Sequence, residues 1–421
     1  MSVVDKPSQN ALKYLKFRNH TVDSVSSKLP KKESDPVAQT LPKRRRGRFR
    51  GSTGQHAFYH AKARDWHVDP EIVRTMCKQT NFTQCEPPTK RSEEKKKADR
   101  ASRKPFKVVT YIRFRYNPND PSFAGCDYDN CVYTGNVVTA DTDAVFIFGV
   151  GLKESTPLPK LRLPHQTYII ASWEPPAFIW SDTLTNEHSK WNHFFNATMT
   201  YRIDADISYR YGKLDFQPRR QSELPNYRMI ARLKTRTAIW MVSNCGPTPS
   251  KRMAYVKEMQ KYIDIDIFGV CGEPCELNDE RCVADFSSTY KFYLAFENSF
   301  STDYVTEKLF KLFVDDMHII PVVRGAVDYN REFPEKSLVN SANFKNPQEL
   351  ALFLKALGAD EMEYSNYLEV KDRYRAITFG NRWCYLCEYL HKEALLNKNH
   401  IGNRTVNIKK TLFKGHVFNP S

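Results

Sequence analysis

The stretch FYLAFENSFSTDYVTEKLF, Phe292 to Phe310, decides the fold of this chain. It opens with five apolar residues, which is the pattern of a buried strand, and Glu297 marks the end of that strand. A polar loop follows, and from Tyr304 onward apolar residues recur at helical spacing. The stretch therefore predicts a strand, a loop and a helix over Tyr304 to Val314.

The junction between this strand and helix concentrates chemically useful side chains. A carboxylate, an amide, a phenol and an ammonium follow one another within twelve residues: Glu297, Asn298, Tyr304 and Lys308. Helix N-termini favour anions, so the junction suits a ribose held by the glutamate and a diphosphate held by the lysine. The alternative is an ordinary solvated helix start that binds nothing.

The rest of the chain repeats the alternation of strands and helices. Short β-branched or apolar runs predict eight strands, at 108–112, 144–150, 168–173, 198–203, 238–242, 263–268, 292–296 and 318–323. Helices are predicted from an N-cap at Ser250 through Tyr262 and over Pro347 to Leu357. The pattern predicts an α/β fold with two parallel sheets, divided near residues 225–235, and ligands bound at the carboxyl ends of the strands in the cleft between the lobes.

Positive charge is concentrated at the N-terminus. The chain has 421 residues and a formal net charge of +16, of which residues 1–104 carry 25 Lys and Arg against 11 Asp and Glu. This composition predicts a basic, largely disordered tail or stem, with a short helix around Trp66 to Met76. The remainder is nearly neutral, which argues against nucleic acid as the partner of the body. The run Arg44 to Gly51 leaves RNA binding by the tail as an alternative function.

Cysteines and sequons favour the lumen of the secretory pathway. There are ten cysteines, and N-glycosylation sequons begin at Asn19, Asn81, Asn196 and Asn403. Near the N-terminus no apolar run has the length of a membrane span or the form of a signal peptide. Any membrane attachment is therefore expected to depend on an anchor that this sequence does not display.

Several segments together resemble the α1,3-fucosyltransferases of glycosyltransferase family ten. FENS, DYVTEKLF and the following HIIPVVRGAVDY are similar to the donor motif of that family. WMVSN, starting at Trp240, and the segment from Phe195 to Ile207 resemble two further family motifs, as does the glutamate-proline segment around Glu174. The resemblance covers roughly residues 107–390 and is that of an invertebrate-type member.

The resemblance implies a GT-B fold, with two Rossmann-like lobes and a cleft between them. It places an N-terminal acceptor lobe at 105–230, a C-terminal donor lobe at 231–378, and a segment at 379–421 that ties back to the first lobe. It also implies that Glu174 is the general base of catalysis. The implied donor-binding residues are Arg202, Arg252, Glu297, Asn298, Tyr304, Glu307 and Lys308, with Arg252 and Lys308 facing the diphosphate.

The implied reaction is an inverting transfer of L-fucose from GDP-fucose to O3 of N-acetylglucosamine in a glycan. One base and two cations are enough for this single displacement, so no metal ion or other cofactor is expected to be required. The resemblance implies a Golgi location. Core and antennal N-acetylglucosamine both remain open as acceptors, and another nucleotide-sugar transferase with a related donor lobe is the alternative enzyme.

Two patterns have competing explanations. The D-x-D at Asp204 to Asp206 resembles a metal-binding motif, but the same pattern occurs elsewhere in the chain, so a metal site is not predicted. Zinc binding by Cys271, Cys275 and Cys282 is a further, less favoured alternative.

The resemblance also implies covalent and glycan attachments. It pairs the C-terminal cysteines with two cysteines of the first lobe, as Cys126–Cys384 and Cys131–Cys387. Cys245 is expected to pair within the second lobe, with no choice among its candidate partners. Asn196 is the predicted glycosylation site.

Overall fold

The structure is a computed structural model that describes residues 93–112, 120–150, 152–178, 186, 188–218, 223–274, 286–395, 405–407 and 411. Of the predicted basic tail, only residues 93–104 belong to this part. The helix expected around Trp66 to Met76, the arginine-rich run and three of the four sequons lie outside the described residues.

The first sheet has six parallel strands in the spatial order β2-β1-β3-β4-β5-β6. The first seven strands of the chain are β1 Phe106–Ile112, β2 Cys131–Tyr133, β3 Ala144–Phe148, β4 Thr167–Ser172, β5 Ala197–Thr200, β6 Ile207–Ser208 and β7 Lys213–Phe216. The central strands β3 and β4 are buried along their whole length. Their apolar composition is explained by this position, since a parallel strand is covered on both faces.

The second sheet has five parallel strands in the order β12-β11-β10-β8-β9. The remaining strands of the chain are β8 Arg236–Met241, β9 Ile265–Phe268, β10 Tyr290–Phe296, β11 Ile320–Arg324, β12 Val339–Asn340 and β13 Tyr374–Ile377. The last of these, β13, pairs antiparallel with β7 and so joins a late part of the chain to the end of the first lobe.

Eight α-helices with defined bounds border the sheets in the described part of the chain, besides a helical turn at residues 286–289. They are α1 Glu93–Ser102, α2 Tyr227–Leu233, α3 Arg252–Met259, α4 Glu307–Phe310, α5 Tyr329–Glu332, α6 Pro347–Ala359, α7 Glu361–Asp372 and α8 Arg382–Leu395. Local sequence explains the start of α6, because the side chain of Asn346 accepts a hydrogen bond from the backbone N–H of Glu349 and proline occupies the first turn. None of the described helices is long and apolar enough to cross a membrane.

The final helix α8 packs on the first sheet. Leu386, Cys387 and Leu390 belong to the same apolar cluster as Val108 and Phe146. Disulfides join Cys126 to Cys384 and Cys131 to Cys387, across 258 and 256 residues of chain. Both pairings implied by the family resemblance are therefore present in the structure.

The α/β prediction with two parallel sheets is confirmed, and each of the eight predicted strands overlaps an observed one. The helix predicted over Tyr304 to Val314 was too long, because α4 spans only Glu307–Phe310. Asp303 has a left-handed backbone (φ 61°) and Thr306 is extended, so the chain turns at Asp303 and the helix begins only after Thr306.

Candidate active site

The ends of β8 and β10 form one wall of the site. The loop after β8 is tied to the loop after β10, because the backbone N–H of Ser250 donates to the carbonyl of Asn298 at 3.1 Å. Arg252, the first residue of α3, donates from Nη1 to the carbonyl oxygen of Phe296 at 3.0 Å. These bonds fix α3 against the carboxyl end of the sheet, where ligands of such sheets bind.

Arg252 is a buried cation without a carboxylate partner among the described residues. It is 5% exposed, its guanidinium carbon lies 5.7 Å from the ring centroid of Trp240, and its Nε has no hydrogen-bond partner. Burial lowers the pKa of Arg252, while the nearby carboxylates of Glu297 and Glu307 oppose that effect. Arginine stays protonated in proteins, so a positive charge with an unused Nε donor lies at this edge of the sheet.

Glu297 is a buried anchor for the loop that follows β10. Only 1% exposed, it accepts hydrogen bonds from the backbone N–H of Thr306 at 2.8 Å and from the Thr306 hydroxyl at 3.0 Å. Its other oxygen lies 3.1 Å from Nζ of Lys308. Glu297 therefore fixes the start of α4 and the lysine on it.

Lys308 holds its charge between two glutamates. Its Nζ also donates to Oγ1 of Thr306 at 2.7 Å and lies 3.3 Å from Oε1 of Glu307. Burial opposes the charged form, but Glu297 and Glu307 raise the pKa of Lys308 above its usual value. The pKa of Glu307 is lowered despite burial, because Lys308 and then Lys311 favour its carboxylate.

Asn298 and Ser299 leave side-chain oxygens unused. Asn298 Oδ1 and Ser299 Oγ are both buried without a hydrogen-bond partner in the described part of the chain. They follow β10 directly, so the loop presents polar atoms where the strand ends.

Glu174 occupies the equivalent place in the first lobe, two residues after β4. The hydroxyl of Ser172 donates to the backbone carbonyl of Glu174 at 3.0 Å, which fixes the turn. Burial raises the pKa of the Glu174 carboxyl above its usual value, and Lys308 opposes this shift. A glutamate with a raised pKa is suited to accept a proton near neutral pH.

Tyr304 connects the two lobes at this point. The ring of Tyr304, only 2% exposed, packs edge-on against Tyr201 at 4.9 Å and Tyr211 at 6.2 Å, both from the first lobe. Its hydroxyl lies 3.5 Å from Oε2 of Glu174. Burial raises the pKa of Tyr304 well above its usual value, so the phenol keeps its proton and points it towards Glu174.

The segment around Arg202 fixes the first lobe against the second. The guanidinium of Arg202 makes two hydrogen bonds to the carboxylate of Asp204, at 2.7 and 2.8 Å. The next residue, Ile203, donates its backbone N–H to the Asp303 carboxylate at 3.1 Å. Asp206 accepts from the backbone N–H and the hydroxyl of Thr198. Both carboxylates of the D-x-D pattern thus have partners within the protein.

Two residues of the site were missed from the sequence. Tyr201 makes a 2.9 Å hydrogen bond between its hydroxyl and that of Ser301, which joins the lobes. Its place beside Arg202 in a recognised motif was a usable signal. Arg324 ends β11, with its guanidinium carbon 4.3 Å from the ring centroid of Tyr255 and 4.6 Å from that of Phe300. Only the spatial adjacency of β10 and β11 reveals that this arginine belongs to the same edge.

The predicted glycan at Asn196 is incompatible with the structure. The side chain of Asn196 is 0% exposed, and its Oδ1 accepts a hydrogen bond from the backbone N–H of Tyr168 at 2.8 Å. The sequon prediction is therefore corrected, because Asn196 ties β4 to the start of β5.

Cys245, whose partner the sequence did not identify, forms a disulfide with Cys271. That bond removes Cys271 from the alternative zinc cluster. Cys275 and Cys282, the other two members, lie outside the described residues.

Comparison with known proteins places these motifs in one family. Residues 103–212 match the family model "Fucosyltransferase, N-terminal", and residues 231–404 match "Glycosyltransferase family 10 (fucosyltransferase) C-term". The chain belongs to glycosyltransferase family 10. The two matches contain every predicted site residue, from Glu174 to Lys308.

Relatives in this fucosyltransferase family include two Drosophila melanogaster proteins. The chain is 37% identical to alpha-(1,3)-fucosyltransferase C over 58% of its own length, and 38% identical to glycoprotein 3-alpha-L-fucosyltransferase A over 48%. The match spans only 59% and 41% of those two relatives. The chain is also 30% identical to the human 4-galactosyl-N-acetylglucosaminide 3-alpha-L-fucosyltransferase FUT6, over 65% of its own length and 73% of that protein.

Among solved structures, a crystal structure of alpha1,3-fucosyltransferase with GDP aligns with a TM-score of 0.47 at 18% identity. The alignment covers 74% of this chain and 94% of that one.

Proposed function

We propose that this chain is an inverting α1,3-fucosyltransferase, which moves L-fucose from GDP-β-L-fucose to O3 of an N-acetylglucosamine in N-glycans or related glycoconjugates. The relatives named for 3-alpha-L-fucosyl transfer support the donor sugar and the linkage. The observation that carries the proposal is the meeting of Glu174 with Tyr304 and the charge of Lys308 at the junction of the lobes. The candidate base of one lobe is therefore within electrostatic range of a cation from the other.

Glu174 is the proposed general base. Its carboxylate takes the proton from O3 of the acceptor while O3 attacks the anomeric carbon of fucose. The bond from that carbon to the phosphate oxygen breaks in the same displacement, so the β configuration of the donor becomes α in the product. GDP leaves as an anion and needs no acid to protonate it.

Arg252 and Lys308 are proposed to stabilise the departing diphosphate. Arg252 has an unused Nε donor beside the ends of β8 and β10, and Lys308 keeps its charge in a partly buried position. Fixed cations aimed at a developing negative charge lower the barrier, and loss of one such donor costs about 3 kcal/mol. Asn298, Tyr304 and Glu307 complete the proposed donor site, with Glu297 holding the loop after β10 in place. Arg202 remains a proposed donor-binding residue from the first lobe.

The proposal includes a metal-independent reaction. Among the described residues, one grouping of three potential metal-ligating side chains occurs, namely Cys131, Cys387 and His391, and its two cysteines form a disulfide. If Arg252 and Lys308 alone neutralise the leaving diphosphate, transfer should continue in EDTA. Complete loss of activity in EDTA, restored by Mg²⁺ or Mn²⁺, would replace the two-cation scheme with a metal-assisted one.

The proposed compartment is the lumen of the secretory pathway, in the Golgi. Three disulfides in the described part of the chain support an oxidising environment.

A panel of defined glycans tests the function. The protein is incubated with GDP-fucose, GDP-mannose and UDP-galactose against core and antennal N-acetylglucosamine acceptors, and the linkage of any product is read by NMR. Fucose on O3 with inversion is expected from GDP-fucose alone. Glu174→Gln should lower turnover at least about a hundredfold while GDP binding is unchanged. Transfer of another sugar, or full turnover by Glu174→Gln, would reject the proposal.

A further inference from the structure

The returning helix α8 brings Arg382 against Trp173, the residue directly before the candidate base Glu174. The guanidinium carbon of Arg382 lies 4.3 Å from the ring centroid of Trp173 and 5.8 Å from that of Tyr209. Phe148 stacks on the same indole with ring centroids 5.3 Å apart. The aromatic rings therefore support the guanidinium at the edge of the first sheet that carries Glu174.

The start of α8 is fixed on both sides of this arginine. Asn381 caps the helix by accepting a hydrogen bond from the backbone N–H of Trp383, and its amide donates to the carbonyl of Ser122 at 2.6 Å. Cys384, two residues beyond Arg382, is bonded to Cys126. The position of Arg382 is thus held by the first lobe.

Within the described residues, Arg382 has neither a hydrogen-bond acceptor nor a carboxylate partner. The neighbouring hydroxyls are used elsewhere, because Tyr209 donates to the carbonyl of Gly380 and Tyr211 donates to the carbonyl of Trp173. The indole Nε1 of Trp173 is likewise buried without a partner in this part of the chain. Unlike that nitrogen, the nitrogens of the half-buried Arg382 guanidinium are not enclosed, so their donors are available to a ligand that enters from solvent.

We infer that Arg382 is an acceptor-binding residue, which donates a hydrogen bond to the acetamide carbonyl oxygen of the N-acetylglucosamine that receives fucose. This inference rests on the proposed function. In that sugar the acetamide is on C2, next to the O3 hydroxyl whose proton Glu174 takes. A guanidinium has donors only, so it matches a carbonyl oxygen better than it matches a hydroxyl, which brings a donor of its own.

The long disulfides hold α8, and with it Arg382, on the first lobe beside Trp173, although more than two hundred residues separate Glu174 from Arg382. The donor site, built mainly from the second lobe, does not include Arg382. Loss of Arg382 should consequently affect the acceptor and leave the donor alone.

The test compares an N-acetylglucosamine acceptor with the matched glucose acceptor, which has a hydroxyl at C2. Wild-type protein should favour the acetamide, with a higher kcat/KM. In Arg382→Met, which keeps a flexible apolar stem but removes the donors, that preference should fall about tenfold or more through a higher acceptor KM. The KM for GDP-fucose and the slow hydrolysis of GDP-fucose without acceptor should remain unchanged.

Two further variants keep the test decisive. Lys392→Met alters an exposed lysine of the same helix that pairs with Glu388, and it should leave both acceptors unaffected. Arg382→Lys keeps the charge and replaces the methionine variant in the test if that variant fails to fold. It should also reduce the preference for the N-acetylglucosamine acceptor over the glucose acceptor.

Each negative result has a separate meaning. If wild-type protein transfers fucose to neither acceptor, the proposed function fails. If it is active but does not distinguish the two acceptors, or if folded Arg382 variants keep the preference, only the inference about Arg382 fails. The inference would also fail if an Arg382 variant lost hydrolysis of GDP-fucose as strongly as it lost transfer, because the substitution would then not act through acceptor binding.

Discussion

The carboxylate of Glu297 and the ammonium of Lys308 lie 3.1 Å apart, yet only the lysine reaches solvent. The glutamate side chain is 1% exposed and that of the lysine 23%. The Glu297 carboxylate is already engaged by Thr306 and Lys308, whereas part of the Lys308 side chain is open to solvent. Glu297 therefore positions the start of α4, and Lys308 is the member of the pair that is available to the donor.

Lys308→Met should lower both stability and activity. It leaves the Glu297 carboxylate buried without its cation, which should reduce the free energy of unfolding by about 3 kcal/mol. Fucose transfer should fall about a hundredfold, because one of the two proposed cations is absent. Chemical denaturation and steady-state kinetics measure the two effects.

The double variant Lys308→Met/Glu297→Gln is the matched control. Glutamine retains the shape of Glu297 and can still accept from Thr306, so stability should return most of the way while transfer stays low. Recovery of activity together with stability would mean that Lys308 acts only in folding.

Arg252→Ala should produce the opposite balance. No carboxylate in the described residues pairs with Arg252, so its removal leaves no buried anion behind. GDP affinity and transfer should both fall about a hundredfold, with a smaller loss of stability than in Lys308→Met. Calorimetric titration of GDP and thermal unfolding compare the two variants, and unchanged GDP affinity would remove Arg252 from the donor site.

Tyr304→Phe should move the acidic limb of the pH–rate profile to higher pH. Burial raises the pKa of Glu174, and the Tyr304 hydroxyl partly offsets this by favouring the carboxylate. Without the hydroxyl the pKa rises further, so more of the base is protonated, and inactive, at a given pH below neutrality. The profile of kcat/KM measures the shift, and a shift towards lower pH would contradict the assignment of Glu174 as the base.

Local sequence was sufficient for the eight longer strands of the two sheets because they are apolar or β-branched runs, whereas the short strands β2, β6 and β12 were not predicted. Runs such as those of β3, β4 and β10 contain apolar residues on both faces, which is distinctive of a parallel sheet between helices. The family motif then identified the residues around β10, and Lys308, Glu297 and Tyr304 do lie together. The different roles of Glu297 and Lys308 were not predictable, because they depend on how far each side chain is exposed to solvent.

Contacts between distant parts of the chain were out of reach. Nothing in the residues of β13 indicates that this strand pairs with β7. Helix α8, which brings Arg382 over Trp173, was not predicted either. The glycosylation prediction at Asn196 was wrong for a related reason, since a sequon specifies residue types and gives no information about their burial.

The two long disulfides should not contribute additively to stability. Cys126–Cys384 and Cys131–Cys387 close almost the same loop, so either bond alone retains most of the chain-entropy effect. Removing one bond, as Cys131→Ala/Cys387→Ala, should cost about 2–3 kcal/mol, whereas removing the second from that background should cost about 5 kcal/mol. Denaturation of the single-bond and no-bond variants measures both steps. Equal costs would show that each bond acts through local packing around α8 rather than through closure of the long loop.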